Sequence, residues 1–429
     1  MSYTLSIFLI LMTTVLCIKK NIYGLCCFIA IRILVPEAVR LTDSISLNTG
    51  IIFVVASIFI IKKIKNHGKI VVDNYFKVLV LFVFYSFVTL PVANYGNFSY
   101  QLGTIIKFVI TDVIPALLAV CIINNRNDAK TISKVYLYAI IVSCMYGIIV
   151  YFMNYNPYLF LLLGNDGVDI TWKGRVTSAT FVNANSLGYF VTMSVPFVFY
   201  MKHKKIVNNR ICNLAIILLL ANVIMSKKKA AFVVVAFFFI LWFGSRLTLK
   251  KIKVLIASVI FAIFALILIN RIPFLKPLTN FLNASIFFWD SSVVKGVSGG
   301  ALGSTMGMRL YQFTYPFVEI RTNPIFGHGY GWSIYYKSLY VYHPVLFGFE
   351  TIIARAVCEF GLLGCIIYPL VFYRSYKYSS INNNKHFALL YVLTVVALAI
   401  ATGLEYWYLF FITIIIMHKM EMFNNENKL

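Results

Sequence analysis

The chain has 429 residues, 61% of them hydrophobic and only 12% charged, with a formal net charge of +24. Soluble domains carry about a quarter charged residues and about half apolar ones, so a single soluble core is excluded. The apolar residues form solid blocks rather than short alternating runs, which argues against an outer-membrane barrel. Backbone groups in lipid must be satisfied internally, so the blocks are read as helices and the chain as an all-α polytopic membrane protein.

Taken in order, the blocks lie near 3–18, 22–36, 47–61, 76–93, 103–123, 133–153, 181–200, 211–225, 230–243, 254–270, 347–372, 387–401 and 404–418. A span needs about 20 apolar residues, which predicts about 12–13 transmembrane helices. No small-residue cleavage site follows the first block, so it is expected to stay as a span. Four regions result: N-terminal spans over 1–153, spans with two outer elements over 154–270, a large outer loop over 271–346, and C-terminal spans over 347–429.

Lys and Arg cluster in alternate loops, at Lys19-Lys20, Lys62 to Lys69, Arg126 to Lys134, Lys202 to Arg210, Arg246 to Lys253, Arg374 to Lys385 and Lys419 to Lys428. The loops near 95–102 and 402–406 carry none. The positive-inside rule then places the basic loops in the cytoplasm and the others outside. Orientation and anionic headgroups account for the net charge, with no call for nucleic acid. The eight cysteines fall in apolar segments and show neither zinc-type spacing nor a disulfide framework.

Ser226-Lys227-Lys228-Lys229 breaks the alternation. It lies between two cytoplasmic loops, so it is expected at the outer apex of a hairpin whose arms have roughly 14–16 residues. Arms of that length rise about 21–24 Å, less than the roughly 30 Å hydrocarbon core. The lysines are therefore expected below the outer surface, in a wet, protein-lined recess, where ionisable groups are read first as functional. Snorkelling to outer headgroups is the alternative.

Other outward features are less specific. Asp166 and Asp169 flank Gly167 and fit a turn better than a divalent-ion site. Gly296, Gly299, Gly300 and Gly303 fit a flexible loop, since no strand-to-helix unit flanks them. His328 is read as a loop-packing residue. Lys107 and Asp112, both in the fifth block, are expected to pair or to belong to a translocation path.

Four stretches, in order, resemble motifs of the O-antigen ligase and O-antigen polymerase superfamily. G-R-V-T-S-A-T-F-V-N-A-N-S-L-G (174–188) is similar to Arg-x-x-Gly-x-Phe-x-Asn-Pro-Asn-x-x-Gly/Ala, with Ala179 where Gly is common and Ala184 in place of Pro. S-K-K-K-A-A-F (226–232) resembles Ser-Arg/Lys-x-Ala at the head of a span. R-L-Y-Q-F-T-Y-P-F-V-E-I-R-T-N-P-I-F-G-H-G-Y-G (309–331) resembles Arg-x₃-Trp/Phe followed by Asn-Pro-x-x-Gly-x-Gly. E-T-I-I-A-R-A-V-C-E-F-G-L-L-G (350–364) resembles the closing helix that ends Glu-x-Gly-x-x-Gly.

The resemblance spans residues 170–365 and implies a GT-C-like enzyme of the bacterial inner membrane, its site facing the periplasm. Polymerases of this family (Wzy-type) join undecaprenyl-diphosphate-linked repeat units, and ligases (WaaL-type) load finished glycan onto lipid A-core. Neither is understood to need a metal or other cofactor. The implied partners are the carrier-linked glycan, membrane lipids and a chain-length regulator. Breaking a glycosyl–diphosphate bond develops charge on the leaving group, which positioned cations stabilise. Arg175, Lys227, Lys228, Lys229, Arg309 and Arg321 match by family position and outward placement, with Asn183, Asn185 and Arg355 as accessory groups. Arg355 is read either as a diphosphate ligand or as a partner for Glu359. A base for the acceptor hydroxyl adds about 10²–10⁴ in rate, and Glu350 and His343 are the candidates. The ligase helix begins with His where this chain has Glu350, a departure that favours the polymerase. A flippase or transporter would show internal repeats, and none is visible.

Overall fold

The computed structural model describes residues 2–42, 45–67, 73–164, 176–244, 311–339, 343–346, 348–403 and 406–426. Among them there is no strand, and the only pairing of extended backbone is a single bridge between Arg40 and Ser46. The predicted block at 254–270, the outer loop up to residue 310, and Arg175, Arg309, Asp166, Asp169 and the four glycines of 296–303 lie outside the described residues.

The other twelve blocks are helical. Numbered within the described residues, they are α1 (Ser2–Lys19), α2 (Asn21–Leu34), α3 (Leu47–Lys65), α4 (Asn74–Val88), the composite α5 (Phe98–Phe108) with α6 (Ile114–Ile122), α7 (Arg126–Met153), α9 (Ala184–His203), α10 (Asn209–Met225), α11 (Lys229–Gly244), α14 (Ile352–Ser379), α15 (Lys385–Thr402) and α16 (Trp407–Glu426). Shorter pieces are α8 (Pro157–Leu163), α12 (Pro316–Glu319) and α13 (Trp332–Ser338). Six helices are long and apolar enough to cross a membrane: α3, α4 through Val92, α5–α6 as one, α7, α14 and α15. The chain is a helical membrane protein; α1, α2, α10 and α11 are apolar but shorter.

Local chemistry sets the helix starts. Ser46, Asp73, Asn97, Asn125, Asn156, Asn183, Asn208 and Thr351 each precede a helix and accept a backbone N–H of its first turn. Each satisfies a donor that the helix itself leaves open. Two starts lie several residues before the predicted blocks, Arg126 rather than 133 and Phe98 rather than 103. The first turn at Arg126 is polar and that at Phe98 mixes Ser and Gln with aromatics, so neither carries a continuous apolar signal.

α9 is buried along most of its length, with α7, α10, α11 and α15 packed around it. The predicted hairpin is present, its turn at Ser226–Lys228 joining α10 to α11. The arms, of 17 and 16 residues, rise about 24–26 Å and remain short of a full hydrocarbon core.

Asp112 sits in a π-helical turn, Val109–Val113, between α5 and α6. It is buried and accepts from the Thr111 hydroxyl at 2.6 Å and the Tyr408 N–H at 3.0 Å. Lys107 is exposed. The cation facing Asp112 is Arg32, whose guanidinium lies 4.1 Å over the Tyr408 ring and 3.3 Å from Glu37. Asp112 is thus held by α2 and α16 rather than by Lys107, a correction to the sequence expectation.

α14 is interrupted. Gly361 has φ 63° and ψ −153° inside it, and the segment 320–331 fills the break. Leu362 N–H donates to Pro324 O at 2.8 Å, and His328 N–H donates to Cys358 O at 2.7 Å. A side chain on Gly361 would overlap the Ile325 carbonyl, and one on Gly327 (φ 66°) would lie 2.5 Å from Cys358 O. The break lies nine residues into α14, about 14 Å along it. Irregular backbone at such depth is tolerated only where protein satisfies it.

Candidate functional site

One end of the bundle collects the elements that the motifs single out. Here α9, α11 and α14 begin, α10 and α15 finish, and the segments 176–183 and 311–350 pack across them. Two charged clusters lie there.

The first centres on the lysine turn. Lys227 adopts φ 51°, and the three lysines are half-buried. Burial lowers the Lys227 amine from its ordinary value. The Lys228 stem lies on Gly188, where a Cβ would come within 2.9 Å of it, and its Nζ sits 5.2 Å from the Tyr189 ring centroid. Tyr189 donates to Thr402 O at 3.3 Å. The next residue, Gly403 (φ 73°), packs under the Arg355 guanidinium, which donates through Nε to Phe349 O at 3.1 Å. Lys228 and Arg355 therefore flank the α15–α16 junction, drawn from positions 127 residues apart.

The segment 176–183 anchors this turn. Thr177 donates its N–H to Met225 O at 3.2 Å and its hydroxyl to Gly147 O at 2.6 Å. Thr180 bonds Ile33 O at 2.6 Å, and Asn156 bonds Ala179 O at 2.8 Å. Ala179 has φ 49°, a conformation that favours Gly, at the position where the resembled motif commonly has Gly. Asn183 is exposed and caps α9 by accepting the Ser186 N–H at 2.8 Å; Asn185 is half-buried in the first turn.

The second cluster surrounds Glu319. His328 Nε2 lies 3.8 Å from Glu319 Oε1, and His343 Nε2 lies 3.5 Å from Oε2. Nδ1 of His343 accepts the N–H groups of Val345 (3.2 Å) and Leu346 (3.0 Å). Nδ1 of His328 faces the Asn94 amide nitrogen at 2.9 Å, which can only donate. The hydrogen-bond network therefore assigns the Nε2–H tautomer to both rings when neutral, and both Nε2 atoms lie near one carboxylate. Burial holds both imidazoles below their usual range, with Glu319 opposing it. Trp332 stacks on His328 at 4.5 Å, while Tyr315 and Tyr336 approach His343 at 5.9 and 5.7 Å.

Supporting groups lock this cluster. Gln312 donates to Leu346 O at 3.1 Å and accepts from Thr351 N–H at 3.1 Å, pinning both ends of the loop that carries His343. Glu359 is buried on α14 and accepts the Ser333 hydroxyl and, at 3.3 Å, the Ser333 N–H at the start of α13. That gives Glu359 a partner the sequence did not indicate, with Arg355 within electrostatic range. Phe349 separates the clusters, its ring 5.7 Å from His343 and its carbonyl on Arg355.

Lys227, Lys228, Lys229, Asn185 and Arg355 thus share one region with His343. Glu350 is half-buried just before the Thr351 cap of α14, and Arg321 is exposed in the turn Ile320–Thr322. Sequence reasoning missed Glu319, Asn94 and Tyr189. The available signal for Glu319 was its standing as an acidic residue in the same stretch as His328 and His343. No grouping of three or more His, Cys, Asp and Glu residues suited to a metal ion occurs among the described residues. Compared with family models and with curated protein sequences, the chain matches none.

Proposed function

We propose that the protein is a GT-C-like glycan polymerase of the bacterial inner membrane, joining undecaprenyl-diphosphate-linked repeat units on the periplasmic side. The observation that carries this reading is that Lys228, set against Tyr189, and Arg355, set against Gly403, lie at the same end of the bundle, linked by the Tyr189–Thr402 hydrogen bond. Two stretches that resemble separate motifs of one family supply Lys228 and Arg355, and Tyr189 directly follows a third. Half-buried cations at one end of the bundle suit a lipid diphosphate: Arg offers a bidentate fork and Lys a point charge.

In the proposed reaction, an acceptor hydroxyl oxygen attacks the anomeric carbon of the donor glycan. The anomeric C–O bond to phosphate breaks, and undecaprenyl diphosphate leaves with the bonding pair. Lys228 and Arg355 stabilise the charge that develops on it, together with Lys227, Lys229, Arg175, Arg309 and Arg321 as the resemblance assigns them. Glu350, beside the Arg355 turn of α14, orients the acceptor.

Glycan analysis of a deletion strain tests this reading. Loss of a polymerase leaves surface lipid capped by a single repeat unit. Surface lipid without any repeat, with carrier-linked polymer accumulating, would instead assign a ligase. Retained long chains with normal export would overturn both.

A further inference from the structure

His328 is 7% exposed at its side chain, and its Nε2 has no hydrogen-bond partner among the described residues. It lies beside the backbone and carboxylate of Glu319, but 3.8 Å from Oε1 is too long for a hydrogen bond. A buried donor left without an acceptor costs free energy, and such sites call for an explanation. The Glu319 side chain beside it is 22% exposed. An N–H donor and a carboxylate acceptor side by side are what one hydroxyl group needs: it accepts from the first and donates to the second.

We propose that His328 and Glu319 bind one hydroxyl of the acceptor glycan and that Glu319 is the base of the transfer. The inference rests on the transfer reading above. The acceptor hydroxyl accepts from His328 Nε2–H and donates to Glu319 Oε1. As its oxygen forms the bond to the anomeric carbon and the diphosphate departs, its proton passes to Glu319, which later returns it to water. His343 is a positioning residue. Its Nδ1 lone pair is taken by two backbone N–H groups, so in this arrangement it offers Nε2–H to Glu319 Oε2 and does not serve as the base. The half-buried rings of Tyr315 and Tyr336 beside His343 supply flat apolar surfaces of the kind a sugar ring can cover.

The test uses the full chain in vesicles of phosphatidylethanolamine and phosphatidylglycerol, with carrier-linked glycan extracted from the producing cells. Product chain length and acceptor KM are the readouts. Glu319→Gln is expected to slow extension by about a hundredfold or more. His328→Ala is expected to raise acceptor KM about tenfold, the worth of one hydrogen bond, and His328→Gln, which restores an N–H, to recover most of it. If Glu319→Gln does not fold, Glu319→Asp carries the same test, with loss of extension expected. Extension within about threefold of wild type in the Glu319 variant, or acceptor KM unchanged in His328→Ala, overturns the proposal alone. A wild-type protein that extends no carrier-linked glycan overturns the transfer reading and this inference with it.

Discussion

Lys228 holds its ammonium over the ring of Tyr189, 5.2 Å from the centroid, with its stem laid along Gly188. A cation placed against an aromatic face keeps its charge while losing part of its water, which suits a group that must meet a phosphate. Lys228→Gln is expected to lower glycan extension by about a hundredfold, as removal of one preorganised charge does elsewhere. Tyr189→Phe keeps the aromatic face and should cost little. Assaying both variants at equal membrane abundance checks this, and extension near wild type in Lys228→Gln would remove Lys228 from the site.

Arg355 is expected to be more demanding than a simple charge. Its Nε is committed to Phe349 O, and Gly403 leaves room only for a flat group. Arg355→Lys should therefore lose about as much extension as Arg355→Ala, both about a hundredfold. Full rescue by Lys would show that only the charge matters.

Ala179 in the left-handed region carries a strain that Gly would relieve. Ala179→Gly is expected to leave the fold intact and to stabilise it by up to about 1 kcal/mol, partly offset by the freer unfolded chain. Thermal unfolding in detergent checks the sign. A clear fall in melting temperature would mean that the methyl group's packing outweighs the strain.

Gly361 should tolerate nothing larger. Gly361→Ala combines a backbone conformation almost confined to Gly with overlap onto the Ile325 carbonyl, and is expected to cost about 2–4 kcal/mol. Loss of accumulated protein in the membrane, or a melting temperature lowered by several degrees, would register it. Normal stability would mean that the interruption of α14 is dispensable.

The histidines give stability a pH dependence of definite sign. Burial lowers both in the folded state relative to about 6.5 in the unfolded chain. The unfolded chain then binds more protons at acid pH, so their contribution is complete above about pH 6.5 and declines as pH falls below it. Melting at pH 5.5 should lie below melting at pH 7.5, and the gap should narrow in His328→Gln and His343→Gln. Equal melting at both values, or an unchanged gap in both variants, would contradict the burial account.

Much of the helical plan was legible in the sequence because apolar blocks and basic loops are long, redundant signals. The short hairpin around Lys227–Lys229 followed from loop parity and block length alone. What escaped was short or non-local. Asn125 starts a helix whose first turn, Arg126-Asn127-Asp128-Ala129, is polar, and Asn97 one whose first turn alternates aromatic and polar residues, so the hydropathy pattern began too late. Arg32 reaches Asp112 from 80 residues away, nearer in space than Lys107's sequence proximity implied. The Glu319 cluster draws on Asn94, His328 and His343, three separate stretches brought to one place by the broken α14 together with Gln312.

The interruption of α14 also bears on how the chain is made. Residues 324–328 are synthesised before the helix whose backbone receives them. While the ribosome is still adding residues 352–379, their seat does not exist, and their open peptide groups keep them out of lipid. The hydrogen bonds of residues 324–328 to α14 can therefore form only after residues 358–362 have been made. Assembly of this region closes from the later helix back onto the earlier loop.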